Sequence, residues 1–148
     1  MPTLAVNKTA RFDYEILETL EGGLALTGAE VKSIKAGHVQ LKGAFLDMRE
    51  GELWLKNAFV SAYKPAGVRE EYDPSRNRKV LVHKRELNRL VGKRHAEGLT
   101  LIPLSLYTKG GLVKLSFAVA RGKKHFEKRE AIKKRDVQRQ IREKLKGN

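Results

Sequence analysis

Leu99-Thr100-Leu101-Ile102-Pro103-Leu104-Ser105-Leu106-Tyr107 and Leu112-Val113-Lys114-Leu115-Ser116-Phe117-Ala118-Val119 are joined by Thr108-Lys109-Gly110-Gly111. The two runs read as the clearest pair of strands in the chain, and the segment between them reads as a hairpin turn. Pro103 has no N–H to give to a ladder, which predicts a sheet edge or a bulge there. Lys114 shares a strand face with Leu112 and Ser116, so its side chain is expected to point outward, available to a phosphate.

Working back from this hairpin, Phe12, Tyr14 and Ile16 alternate with Asp13 and Glu15, the two-residue period of a half-buried first strand. Leu17 breaks the alternation, as a bulge would. Gly22-Gly23 read as a turn and Leu24-Ala25-Leu26 as a resumed extended run. Gly28 to Ala36 read as a short helix with Val31 and Ile34 inward, stopped by Gly37. Ala44 to Met48 and Leu53 to Leu55 flank a hairpin loop, Arg49-Glu50-Gly51-Glu52, with Trp54 as the largest core candidate, and Ala58 to Tyr63 make another strand. From Lys64 to Lys79 the composition is that of a long loop, of a length that often carries function. Lys84 to Val91 read as a helix with Leu87, Leu90 and Val91 inward and Lys84, Arg85, Arg89 and Lys93 in water. Several short strands with two interrupting helices suggest a mainly β fold, a small closed or nearly closed antiparallel barrel of the oligonucleotide-binding (OB) type. A split α+β sheet fits the same pattern nearly as well.

A chain of 148 residues holds one compact domain and an appendage. Against 17 Asp and Glu stand 31 Lys and Arg, a formal charge of +14. A field of that sign concentrates polyanions, and each cation that neutralises a phosphate releases a counterion, so nucleic acid is the expected partner class. An anionic membrane surface would call for a broad amphipathic helix or a lipidation signal, and neither is evident. No run approaches the length of a membrane span and no secretion signal opens the chain, so a cytoplasmic location is expected. The absence of cysteine excludes disulfides, thiolate metal sites and cysteine nucleophiles.

The expected division is a barrel over residues 1–121 and a basic tail over 122–148. That tail carries half of the net charge, and its large apolar residues are only Phe126, Ile132, Val137, Ile141 and Leu145. The last three form a stripe too narrow to dock firmly. The tail is expected to be disordered alone and helical against a charged partner.

Enzyme readings find little support. His38, His83, His95 and His125 stand apart from any second ligand at metal spacing. Gly122-Lys123-Lys124 has Phe117 where a phosphate loop needs its first glycine, and no serine sits in a Gly-x-Ser-x-Gly elbow. Glu15, Glu18, Glu21 and Glu30 could pair as catalytic carboxylates but read more simply as solvated charges. No catalytic centre, metal or cofactor is expected. On the positive side, Lys8 and Arg11 precede the first strand, Lys32 and Lys35 lie on the first helix, and Arg76, Arg78 and Lys79 close the long loop. With Phe12, Tyr14 and Tyr72 as rings for unpaired bases, they combine phosphate contacts with stacking platforms.

Several ordered motifs are more specific than any basic cluster: Asn7-Lys8-Thr9-Ala10-Arg11-Phe12-Asp13-Tyr14, Leu24-Ala25-Leu26-Thr27-Gly28-Ala29-Glu30-Val31-Lys32-Ser33, Asp73-Pro74-Ser75-Arg76-Asn77-Arg78-Lys79, Leu104-Ser105-Leu106-Tyr107 and Gly122-Lys123-Lys124. Together they resemble the SmpB family, the SsrA-binding proteins, from Asn7 into the tail. The resemblance implies an OB-type barrel with accessory helices that binds the tRNA-like domain of transfer-messenger RNA and helps rescue stalled bacterial ribosomes by trans-translation. It also implies a tail that orders in the empty message channel near the small-subunit decoding centre, with elongation factor Tu met through the RNA complex. By the resemblance Asn7, Glu21 and Lys114 match RNA-binding positions, to which the residues above add Lys8, Arg11, Phe12, Lys32, Arg76, Arg78 and Lys79. Gly122, Lys123 and Lys124 match the start of the ribosome-facing tail, which would continue through Phe126, Lys128, Arg129, Lys133 and Lys134.

Chemistry agrees where it can be checked. The Asn7 amide can meet base edges or sugar hydroxyls, and Glu21 can accept from RNA amino groups or hold a neighbouring cation. Phe126 stands where relatives often carry His or Tyr, keeping the stacking area and losing the polar atom. Gly22 stands where Ala is frequent, Ala29 where Thr is common, and Ala131 near a position often acidic. Two other readings compete: a general single-strand RNA chaperone with a barrel groove and a sticky tail, and an RNA-processing enzyme with metal- or pH-dependent turnover.

Overall fold

The computed structural model describes residues 3–63, 72–94 and 98–123. Their elements run β1 (Thr3–Val6), α1 (Ala10–Asp13), β2 (Tyr14–Leu24), α2 (Gly28–Lys35), β3 (Val39–Gln40), β4 (Phe45–Arg49), β5 (Glu52–Lys56), β6 (Phe59–Val60), β7 (Arg78–Leu81), α3 (Lys84–Arg94), β8 (Leu99–Lys109) and β9 (Leu112–Gly122). Seven strands form one antiparallel sheet in the order β1-β8-β9-β2-β7-β5-β4, and β3 pairs with β6. The sheet curls until β4 comes back against β8, giving the nearly closed OB-type barrel.

The β8–β9 hairpin forms where its sequence places it. Pro103 sits at a register shift, so it is a bulge, but β8 is flanked by both β1 and β9 and is no edge strand. Strand β1, which no sequence period announced, pairs with β8 beyond that bulge. The first predicted strand starts later than expected. Phe12 and Asp13 donate their N–H groups to the Thr9 carbonyl and close the single turn α1, leaving the strand to begin at Tyr14. Its bulge falls between Ile16 and Glu18, where Leu17 interrupts the alternation.

Gly22 and Gly23 are not a turn. They lie inside β2, opposite Leu115 and Lys114. A Cβ on Gly22 would stand 2.9 Å from Val80 Cγ1, so the bare backbone is what lets β7 pass this close. Trp54 is likewise not a core residue. Leu53 and Leu55 take the inner face of β5, and the two-residue period puts the indole outside. Of Ala58 to Tyr63, only Phe59–Val60 is strand. Arg78 and Lys79 belong to β7 and not to the preceding loop, whose residues 64–71 lie outside the described set.

Thr27 and Glu30 start α2 with a reciprocal capping box, Ile34 enters the core, and Gly37, at φ 85°, ends the segment. On α3, Leu90 is fully buried and Leu87 packs against the core, while Val91 stays partly in water. The core gathers Leu20, Ile34, Leu53, Leu55, Leu106, Leu115 and Phe117 inside the curl. A second cluster, Ala10, Ile102, Ala118 and Ala120, lies on the other side of the sheet, where the small side chains of β9 let α1 sit directly on the strands.

Candidate nucleic-acid interface

On the outer face of the barrel the registers bring Glu21 of β2 beside Ser116 of β9, Gly23 beside Lys114, and Lys114 beside Tyr107 of β8. Glu21 accepts a hydrogen bond from the Tyr107 hydroxyl and another, at 3.4 Å, from the Lys109 ammonium. The Tyr107 bond holds the Glu21 carboxyl below the usual carboxylate range; partial burial opposes this, and Lys109 and Lys114 reinforce it. The Tyr107 phenol is pushed the other way, by burial first and then by the carboxylate. Glu21 is therefore a fixed, ionised acceptor among two lysines and a phenol. Since Gly23 has no side chain, Lys114 Nζ reaches to within 3.9 Å of where its Cβ would stand. Tyr107 and Lys109 were missed from sequence, although the hairpin register already sets Tyr107 opposite Lys114.

A groove of about 580 Å³ opens beside this cluster between the sheet and the start of α3, lined by Glu21, Gly23, Leu81, His83, Lys84 and Lys114 among others. Among the described residues no three His, Asp or Glu side chains gather as a metal site, and no described helix is long and apolar enough to cross a membrane.

The Asn7 end of the site lies on α1's side of the sheet. Asn7 donates its side-chain N–H to the Pro103 carbonyl at 2.9 Å and its backbone N–H to Leu104 at 2.8 Å, pinning the β1–α1 turn to the bulge. Its remaining oxygen accepts from Thr9 at 3.4 Å. Lys8 and Arg11 are exposed and Phe12 is half-buried. Gly122 is the last residue of β9, paired with Tyr14, so the expected boundary after Arg121 falls within a strand. Lys123 follows with two anchors: its N–H donates to Asp13 at 2.9 Å and its ammonium to the Arg11 carbonyl at 2.8 Å. Lys124, Phe126, Lys128, Arg129, Lys133 and Lys134 lie outside the described residues.

The basic loop residues part company with expectation. Arg78 is 1 % exposed and no phosphate can reach it. Its guanidinium donates to Glu30 at 2.8 Å, Ala58 O at 2.8 Å, Pro74 O at 2.9 Å and the Tyr72 hydroxyl at 3.1 Å. Arg76 also turns inward, donating to both Glu30 oxygens and to Ala25 O. Burial alone would raise the Glu30 carboxyl, but Arg76, the Thr27 N–H and Arg78 together bring it down to about 2. Tyr72 donates its hydroxyl to Val60 O at 2.7 Å and belongs to the same clamp, not to a free stacking platform. Lys32 lies 5.7 Å over the Tyr63 ring, and Lys35 donates to Gly111 O at 3.0 Å across the hairpin turn. Lys79 faces outward on β7, 2.9 Å from Glu52.

The structure thus brings together Glu21, Lys114, Tyr107 and Lys109, sets Asn7, Lys8, Arg11 and Lys123 around α1, buries Arg78, and ties the still partly exposed Arg76 to the same carboxylate. Comparison with known proteins takes in most of the chain. The family model described as SmpB protein matches residues 4–147. The SsrA-binding protein of Trichormus variabilis is 49 % identical over 141 residues, covering 95 % of this chain and 91 % of that protein. That of Synechococcus sp. (strain JA-3-3Ab) is 50 % identical over 145 residues, covering 98 % and 94 %. A solved chain described as "tmRNA-SmpB: a journey to the center of the bacterial ribosome" superposes with a TM-score of 0.67 at 46 % identity, over 86 % of this chain and 92 % of that one. With the family match running from β1 through the basic C-terminal segment, the chain belongs to the SmpB family.

Proposed function

We propose that this chain is the transfer-messenger RNA adaptor of trans-translation, binding the RNA's tRNA-like domain with its barrel and serving ribosome rescue with its basic C-terminal segment. The observation that carries the reading is the extent of the match, which takes in Asn7, Glu21, Lys114 and the basic residues up to 147 alike. In this reading Glu21, ionised and held by Tyr107, accepts from base amino groups or ribose hydroxyls, while Lys109 and Lys114 meet phosphates on either side. Lys8 and Arg11 extend the positive surface around α1. Residues from 124 onward enter the empty message channel and meet the decoding region of the small subunit, and elongation factor Tu is engaged through the RNA. The protein works in the cytoplasm by binding and positioning, without turnover of the RNA.

The experiment is a gel shift of the full chain against the folded tRNA-like domain and an unstructured oligonucleotide of equal length at one salt concentration. Preference for the folded RNA is expected. Equal binding would favour the single-strand chaperone, and metal- or pH-dependent cleavage of the bound RNA would favour the processing enzyme.

A further inference from the structure

The outer face of the sheet continues past Lys114. The register passes from Gly23 on β2 to Leu81 on β7, and from Lys79 on β7 through Trp54 on β5 to Asp47 on β4. Leu53 and Leu55 are buried on either side of Trp54, so the indole stands on the same outer face as Glu21 and Lys114. Leu81, 50 % exposed, bridges the two. Phe45, opposite Lys56, adds a second partly exposed ring at the far edge. Two lysines share this face with the indole at settled positions, Lys79 at 2.9 Å from Glu52 and Lys56 at 3.0 Å from Asp47.

A solvated sheet face normally alternates polar side chains outward. Here the exposed Leu81 and Phe45 and the half-buried Trp54 stand among lysines on a chain of charge +14. Aromatic surface combined with fixed cations is how unpaired nucleotides are held: bases stack on the ring and the backbone follows the positive charge. Trp54 lies three strand spacings across and two residues along from Lys114, roughly 16 Å, a distance that a few nucleotides cover.

We infer that Trp54 is a stacking contact for an unpaired nucleotide of the RNA whose backbone is held at Lys109 and Lys114, with Lys79 meeting the adjoining phosphate. The inference rests on the reading of the chain as a transfer-messenger RNA adaptor, and extends its interface across β7 to β5. Neither Trp54 nor Lys79 need touch the Glu21 cluster for this to hold.

Trp54 is the chain's single tryptophan, so its emission reports this site alone. Intrinsic fluorescence of the full chain, titrated with the folded tRNA-like domain, should be quenched on binding, and the bound complex should be protected from acrylamide. Trp54→Leu should bind roughly tenfold to a hundredfold more weakly, and Trp54→Phe should recover most of that loss, since a ring is retained. Thermal unfolding of both variants separates lost contact from lost fold. Wild-type binding in the gel shift with unchanged emission and unchanged acrylamide access would overturn the inference and leave the adaptor reading standing. So would full-strength RNA binding by Trp54→Leu; if that variant also failed in rescue, the face would belong to a protein partner. Failure of the wild type to bind the RNA at all would instead remove the adaptor reading, and this inference with it.

Discussion

Glu30→Gln isolates the charge of one buried carboxylate, because glutamine keeps the acceptor and the donor that the α2 capping box uses. In the wild type the Glu30 carboxyl is carried from an ordinary 4.5 to about 2. At about 1.4 kcal/mol for each tenfold in acidity, this corresponds to roughly 3 kcal/mol favouring the ionised, folded form. A second route gives a similar size: removing one partner of a buried ion pair costs about 3–5 kcal/mol, here by leaving the fully enclosed Arg78 without its carboxylate. For a chain of this length about 3 kcal/mol lowers the melting temperature by roughly 6–12 °C. The pH dependence has a definite sign. A folded-state pKa below the unfolded one gives stability that is fully present above about 4.5 and is lost as pH falls through about 2. Urea unfolding of wild type and Glu30→Gln at neutral pH and at pH values down to about 2 should therefore show a large gap that narrows in acid. A variant within about 1 kcal/mol of wild type at neutral pH, or a gap that does not close in acid, would refute the assignment of the Glu30–Arg76–Arg78 clamp as the lock between α2 and β7.

Three further outcomes are expected. RNA affinity should fall with salt at a logarithmic slope of about −3 to −5 for roughly four to six phosphate contacts, and a flat profile in a filter-binding series would contradict the charge argument. Asn7→Ala should lower stability by about 1 kcal/mol through the lost Pro103 bond, and weaken RNA binding as the β1–α1 turn loosens; weaker binding with unchanged thermal unfolding would mean that the side chain reads RNA directly. Truncation after Lys123 retains every described element, so cooperative unfolding and part of the RNA binding should survive while rescue in a reconstituted translation assay is lost, and full rescue would refute the division of labour.

Where local chemistry decides, the fold was legible. The β8–β9 hairpin follows from two apolar runs and a glycine turn, and α2 from its inward Val31 and Ile34 and the stop at Gly37. The bulge at Leu17 followed from a broken alternation. Legibility failed where one pattern serves two structures or where a distant partner decides. Phe12-Asp13-Tyr14 fits both a strand and a helical turn, and the Thr9 carbonyl settles it. Trp54 is large enough for a core, but its face is set by Leu53 and Leu55, and a period of two admits no exception for size. Gly22-Gly23 looks like a turn until Val80 is seen beside it. Arg78 looks like a surface cation because its carboxylate, Glu30, is 48 residues away in sequence. The Glu21 cluster is an intermediate case: Glu21 and Lys114 were named, and carrying the hairpin register one step further would have added Tyr107.

Strand β9 has a consequence in mechanics. It is laced along nearly its whole length to β8 on one side and β2 on the other, and the chain leaves it at Gly122 with Lys123 belayed to α1. A pull along the axis of this strand would load both neighbours at once. Such a strand cannot be peeled one bond at a time; it must slide past both neighbours together, so that two rows of antiparallel hydrogen bonds share the load in shear. The barrel is thus a fixed mooring for the segment it carries, and the rate at which force could tear that segment loose is set by the barrier to unfolding the body itself.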